Sequence, residues 1–188
     1  MSAGESASSP AVALDAADLR VDCYVRSDVP APIAEIVDGV VGRLESLCEA
    51  GRIDEYRVAS WPPETGAASA PSRGELVTAF ERWADRNGHS IEPGFRRRER
   101  PTSPLGAESD APDERVRVPI VALALSTDGD VTDPTALRGV VPYTERPNAV
   151  DERTYTVDEW LSAVESDAVD RDAPAAGRDP SPVLGGQR

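Results

Sequence analysis

The first ordered pattern along the chain is an alternation. Leu19, Val21, Cys23 and Val25 interleave with Arg20, Asp22, Tyr24 and Arg26, the period of two expected of a half-buried strand. Pro30 and Pro32 end it and the period changes. Ile33, Ile36, Val37, Val40, Val41, Leu44, Leu47 and Cys48 recur at three- and four-residue steps, which is one wide apolar stripe of a helix. Glu35, Asp38, Arg43, Glu45 and Glu49 fill its other face, and Gly51 stands where a helix-ending glycine is expected. Ile53, Tyr56, Val58 and Trp61 predict a second strand, closed by Pro62 and Pro63.

After a Gly/Ala/Ser/Pro loop over 64–71, Ser72 and Glu75 have the spacing of a capping box. The helix it opens has the apolar face Leu76, Ala79, Phe80, Trp83 and Ala84, and Asn87-Gly88 stops it. A third strand is expected from Ile91 to Arg100, broken early by Pro93-Gly94. Residues 101–114 form a polar loop carrying Glu108, Asp110, Asp113 and Glu114. Val116 to Leu125 is the most strand-like run, Asp128-Gly129 signals a turn, and Leu137 to Tyr143 predicts a fifth strand. Thr156 and Glu159 repeat the capping-box spacing before a last helix with the stripe Val157, Trp160, Leu161, Val164 and Ala168. The order β-α-β-α-β-β-β-α predicts a single α+β domain over 19–166, one mixed sheet with helices packed on one face. Strand order does not follow from this pattern. Residues 1–18 and 167–188 show no period and are expected to be disordered tails.

Five stretches carry a family resemblance: RVDCYVRS (20–27), RLESLCEAGRIDEYRVASW (43–61), FERWADRNGHSIEPGF (80–95), VPIVALAL (118–125) and TYTVDEWLSAVE (154–165). They resemble small acidic proteins of halophilic archaea grouped as helix-turn-helix domain proteins, over roughly residues 19–166. What the resemblance implies is association with DNA and gene regulation.

Composition sharpens the setting. Thirty-four Asp and Glu oppose 20 basic residues, a net charge of −14, and every basic residue is Arg. Disorder would explain the acidity but not the periodic segments. Adaptation to high salt explains both, because at about 1 M salt the Debye length is about 3 Å and self-repulsion is screened. The N-terminus lacks a basic segment followed by an apolar run, and the longest apolar stretch, Val118–Leu125, is too short to span a bilayer. A cytoplasmic protein with no membrane contact is expected. Cys23 and Cys48 have no CxxC spacing and fall at core-facing positions, as buried thiols would.

Little in the chain points to catalysis. His89 is the only histidine, so any Ser-His-Asp or Cys-His arrangement must use it, and its place after Asn87-Gly88 suits a helix-end role better. One His and two distant Cys do not make a zinc set. Gly39 and Gly42 lie inside a helix, not in a phosphate loop. Trp83 and Trp160 fall on apolar stripes and are expected in the core, with Trp61 less defined. No enzyme activity, cofactor or metal is expected.

One stretch stands out against the acidity. GFRRRERP, Gly94 to Pro101, carries Arg96, Arg97, Arg98 and Arg100. Arg96, Arg98 and Arg100 would share one face of a strand, with Phe95, Arg97 and Glu99 on the other. If this strand and the next form a hairpin, Arg115 and Arg117 return beside them. These six arginines are the candidate nucleic-acid or partner contacts. Three readings stand: a protruding hairpin whose charge the loop acids balance, a phosphate site, and a partner-binding arm. Four neutralised phosphates would give a log-log salt slope of about −3.6, a loss on the order of 10⁵ in affinity between 0.1 and about 3 M salt. The expected function is a non-enzymatic regulatory or interaction protein, DNA-associated as the resemblance implies. The alternative is a sensor of a small molecule or partner protein with no nucleic-acid contact. A homodimer along one edge of the first helix is also open.

Overall fold

The computed structural model describes residues 18–64, 70–99, 114–127, 129–145 and 150–172. In chain order the elements are β1 (Arg20–Val25), α1 (Ala31–Glu49), β2 (Glu55–Ser60), α2 (Arg73–Asn87), β3 (His89–Ser90), β4 (Arg96–Glu99), β5 (Glu114–Arg117), β6 (Val121–Ser126), β7 (Leu137–Val141), β8 (Tyr143–Glu145), β9 (Arg153–Tyr155) and α3 (Val157–Asp172). This is an α+β fold around a four-stranded sheet of order β2-β1-β6-β7. β1 and β2 are parallel, as the intervening helix requires of a crossover, while β6 and β7 join antiparallel. Two small sheets accompany it, β3-β8-β9 and the pair β4-β5.

Local chemistry explains the boundaries. Pro30 and Pro32 start α1, and Gly51 follows it with φ of 65°. At α2 the Ser72 hydroxyl accepts from the Glu75 backbone N–H while the Glu75 carboxylate accepts from the Ser72 N–H. Thr156 and Glu159 repeat the exchange at α3. Gly88 ends α2 in the left-handed region, φ 68°.

The two faces of the main sheet are covered by different helices. Tyr24 of β1 stacks on Trp61 at 5.0 Å between ring centroids and meets Phe80 of α2 at 6.3 Å. Val21 and Cys23 point the other way, in register with Leu125 and Leu123 of β6, and all four are fully buried. α1 and α3, which touch one another and also contact β2 and β6 respectively, close that side. Arg43 ties the two helices together, its Nε 2.7 Å from Glu165 and its Nη1 2.6 Å from Asp158. The expectation of helices on one face is therefore corrected. The alternation along β1 put Tyr24 on the solvent side, yet Tyr24 belongs to a second apolar layer with Trp61, Phe80 and Phe95.

Two expected strands are divided and a third is shortened: residues 91–95 are turn, Arg96–Glu99 form β4, and β3 falls just before them at His89–Ser90. Pro119 separates β5 from β6, and Pro142 separates β7 from β8, because proline has no N–H to continue a ladder. β9 is a further strand, paired with β8. α3 runs to Asp172, beyond the expected boundary at 166. Trp61, Trp83 and Trp160 are all buried; so is Cys23, whereas Cys48 is only half-buried.

Candidate nucleic-acid interface

β4 and β5 form a two-stranded antiparallel ribbon. The register sets Arg96 opposite Arg117, Arg97 opposite Val116 and Arg98 opposite Arg115. Side chains alternate across the ribbon, so Arg96, Arg98, Arg115 and Arg117 share one face. All four are exposed. At about 5 Å between strands and about 7 Å between alternate residues, they form a compact two-by-two array.

The other face explains why the array points outward. Val116 is buried, as are Phe95 just before β4 and Val118 just after β5. Phe95 packs edge-on against Trp61 and Phe80, each at 5.9 Å. Arg97 turns inward to α2. Its Nε donates to Glu81 Oε1 at 2.7 Å, its Nη2 to Glu81 Oε2 at 2.8 Å, and Nη2 also to Thr78 Oγ1 at 2.8 Å. Thr78 in turn donates to the Gly74 carbonyl. This two-pronged contact clasps the ribbon to the helix. Gly94 lets the chain enter β4 closely past Pro142, where a Cβ would stand 2.7 Å from the proline Cγ.

Of the six candidate arginines, four are therefore brought together and Arg97 is diverted into the clasp. Arg100 lies outside the described residues, as do 101–113 of the acidic loop, so the expected compensation by loop acids does too. Among the described residues, no ion pair or side-chain hydrogen bond reaches the guanidinium groups of Arg96, Arg98, Arg115 or Arg117. Like charges directly opposite repel, and this array is an exposed cationic cluster in a chain of net charge −14. Glu81 and Thr78 were not legible as partners of Arg97, because their pairing crosses elements with no periodic signature. The nearest sequence signal was the inward alternation of Phe95 and Arg97.

Behind the ribbon lies a cleft of about 400 Å³, lined by Glu81, Asp85, His89, Glu92, Phe95 and Arg97 among others. The His89 ring packs on Tyr143 at 5.0 Å and Trp83 at 5.6 Å, and its Nδ1 is enclosed without a hydrogen-bond partner. Burial holds the His89 pKa below the usual histidine value, against the opposing pull of Glu145 across the strand pair.

The helices do not carry the array. α1 and α2 are separated by β2 and lie on opposite faces of the sheet, so among the described residues no two consecutive helices are joined by a short turn. The exposed face of α1 bears Glu35, Asp38, Glu45 and Glu49. Neither the curated proteins nor the solved structures include a match to the chain. A family model described as helix-turn-helix domain matches residues 13–169. With that match spanning most of its length, the chain belongs to the helix-turn-helix domain family.

Proposed function

We propose that the protein is a non-enzymatic regulatory protein that engages duplex DNA through the β4–β5 ribbon rather than through a recognition helix. Family membership supports a DNA partner. The observation that carries the mode is the register placing Arg96, Arg98, Arg115 and Arg117 on one exposed face. A two-stranded ribbon fits a major groove, and arginine is the residue best shaped for phosphate oxygens and guanine edges. Tryptophan and phenylalanine near the ribbon are buried, so its outer face offers no platform for stacking unpaired bases. That favours a duplex over a single strand. In molar salt the phosphate contribution is weak, and the contacts to groove shape and base edges carry the remainder.

Fluorescence anisotropy with a labelled mixed-sequence duplex, run from about 0.1 M KCl upward, tests this. The wild type is expected to bind, and the variant with Arg96, Arg98, Arg115 and Arg117 all changed to Ser is expected to lose binding while keeping its melting temperature. Equal binding by the variant, or none by the wild type, overturns the proposal. The cleft behind the ribbon favours a second reading, a small-molecule sensor, because it shares Arg97 and Glu81 with the clasp. A ligand-induced melting shift in a protein with no affinity for duplex would select that reading.

A further inference from the structure

The four outward arginines of the ribbon stand on a grid. Cross-strand partners, Arg96 with Arg117 and Arg98 with Arg115, are about 5 Å apart, and alternate residues along each strand about 7 Å. The inner face is pinned. Phe95 and Val116 are buried, and Arg97 is held by Glu81 and Thr78 of α2. The exposed arginines therefore project together, away from the body of the protein. Groove dimensions decide where such a grid can sit. A minor groove about 6 Å wide excludes two strands with their side chains, whereas a major groove about 12 Å wide and about 8.5 Å deep admits them. With the strands laid along it, a grid about 5 Å across is narrower than the space between the groove walls. The arginines then stand over the base edges rather than beside the phosphate rows. Their spacing of about 7 Å along each strand matches two base-pair steps of about 3.4 Å.

Chemistry then selects the base. A guanidinium only donates hydrogen bonds. In the major groove adenine offers N7 beside an amino donor, thymine a single O4, and cytosine an amino donor. Guanine alone offers two adjacent acceptors, N7 and O6, and so takes both prongs of the arginine fork. The four described positions of the outward face hold no Asn or Gln, which match adenine, and no Asp or Glu, which match cytosine.

We infer, on the reading that the ribbon engages duplex DNA, that Arg96, Arg98, Arg115 and Arg117 set sequence specificity and that the duplex recognised carries guanines two base steps apart in its major groove. An arginine on a base edge still lies between two phosphate rows, so its charge still releases counterions and the salt slope is kept. What the guanine contact adds is a preference between sequences. That preference does not depend on salt, because duplexes of one length carry the same phosphates whatever their sequence. It persists in molar KCl, where the counterion contribution has faded.

Four duplexes of one length test this by fluorescence anisotropy, at two KCl concentrations within the range where a mixed-sequence duplex is bound. One is a GA·TC repeat, with guanines two steps apart. The second replaces guanine by 7-deazaguanine, which lacks N7. The third replaces it by hypoxanthine, which keeps N7 and O6 but lacks the minor-groove amino group. The fourth has A·T pairs only. The guanine and hypoxanthine duplexes should bind alike, and at least about tenfold more tightly than the other two at both salt concentrations. Arg98→Gln/Arg115→Gln should shrink that ratio while keeping the wild-type melting temperature. Equal binding of all four duplexes by the wild type overturns guanine recognition and leaves the ribbon as a contact to phosphate. A preference that survives 7-deazaguanine, or is lost with hypoxanthine, overturns it as well. So does a variant whose salt slope falls while its ratio stays at the wild-type value. Binding to none of the duplexes at any salt overturns both this specificity and the DNA contact on which it rests.

Discussion

Asp22 lies on a central strand with only 1% of its surface exposed. Its Oδ1 accepts from Arg57 Nε at 2.8 Å, while its Oδ2 is enclosed without a partner. Burial pushes its pKa above the usual aspartate value, and the pull of Arg57 does not offset it. A carboxyl whose pKa is higher folded than unfolded binds its proton more tightly in the folded state. Its contribution to stability therefore improves as pH falls, and ionisation at neutral pH works against folding. Asp22→Asn should melt above the wild type at pH 7, with the gap closing as pH drops through the carboxylate range; thermal denaturation followed by circular dichroism reads this directly. A variant that melts lower by the same margin at every pH would contradict it. His89 has the opposite sign. Its folded pKa is below 6.5, so protons bind the unfolded chain preferentially as pH falls through that value, and stability is lost. Wild-type stability should fall on the acid side of pH 6.5, and His89→Phe should flatten that fall. His89 stood out in the sequence as the only histidine, but its enclosure by Trp83 and Tyr143 did not, and Asp22 did not stand out at all. Asp22 occupied a polar position of an alternating strand, and only the covering of both sheet faces makes it buried.

At the scale of elements, what was legible followed from short-range chemistry. Both capping boxes, the helix-ending glycines and the period of each helix are functions of neighbouring residues, and the structure keeps them. Ser72→Ala removes a cap and should cost about 1 kcal/mol in chemical denaturation. Strand division was less legible, because Pro119 and Pro142 interrupt runs whose hydrophobicity continues through them. β9 escaped because RTY is too short to show a period. The ribbon was foreseen as a hairpin, but its orientation depended on Phe95, Val116 and the Glu81 clasp, contacts no local pattern encodes. Glu81→Gln weakens that clasp. The pair is partly exposed, so the loss of global stability should be about 1 kcal/mol or less. Amide exchange in β4 and β5 should nonetheless quicken. Unchanged exchange there would show that Phe95 and Val116 alone hold the ribbon.

Across the whole molecule, charge sets the conditions. A net charge of −14 repels itself wherever salt does not screen it. Lowering KCl from about 3 M to about 0.1 M lengthens screening to about 10 Å and should lower the melting temperature; a melting temperature indifferent to KCl would remove salt adaptation as the reason for the acidity. Against that background the four-arginine face is an exception placed by strand register, and it sits on a family member whose described helices do not form the motif of the family's description. The most direct measurement is the slope of log affinity for a duplex against log KCl concentration, compared between the wild type and the variant Arg96→Ser/Arg98→Ser. Four phosphate contacts predict a slope of about −3.6 for the wild type and about −1.8 for the variant. A wild-type slope near zero, or the same slope in both proteins, would show that the ribbon is not what holds DNA.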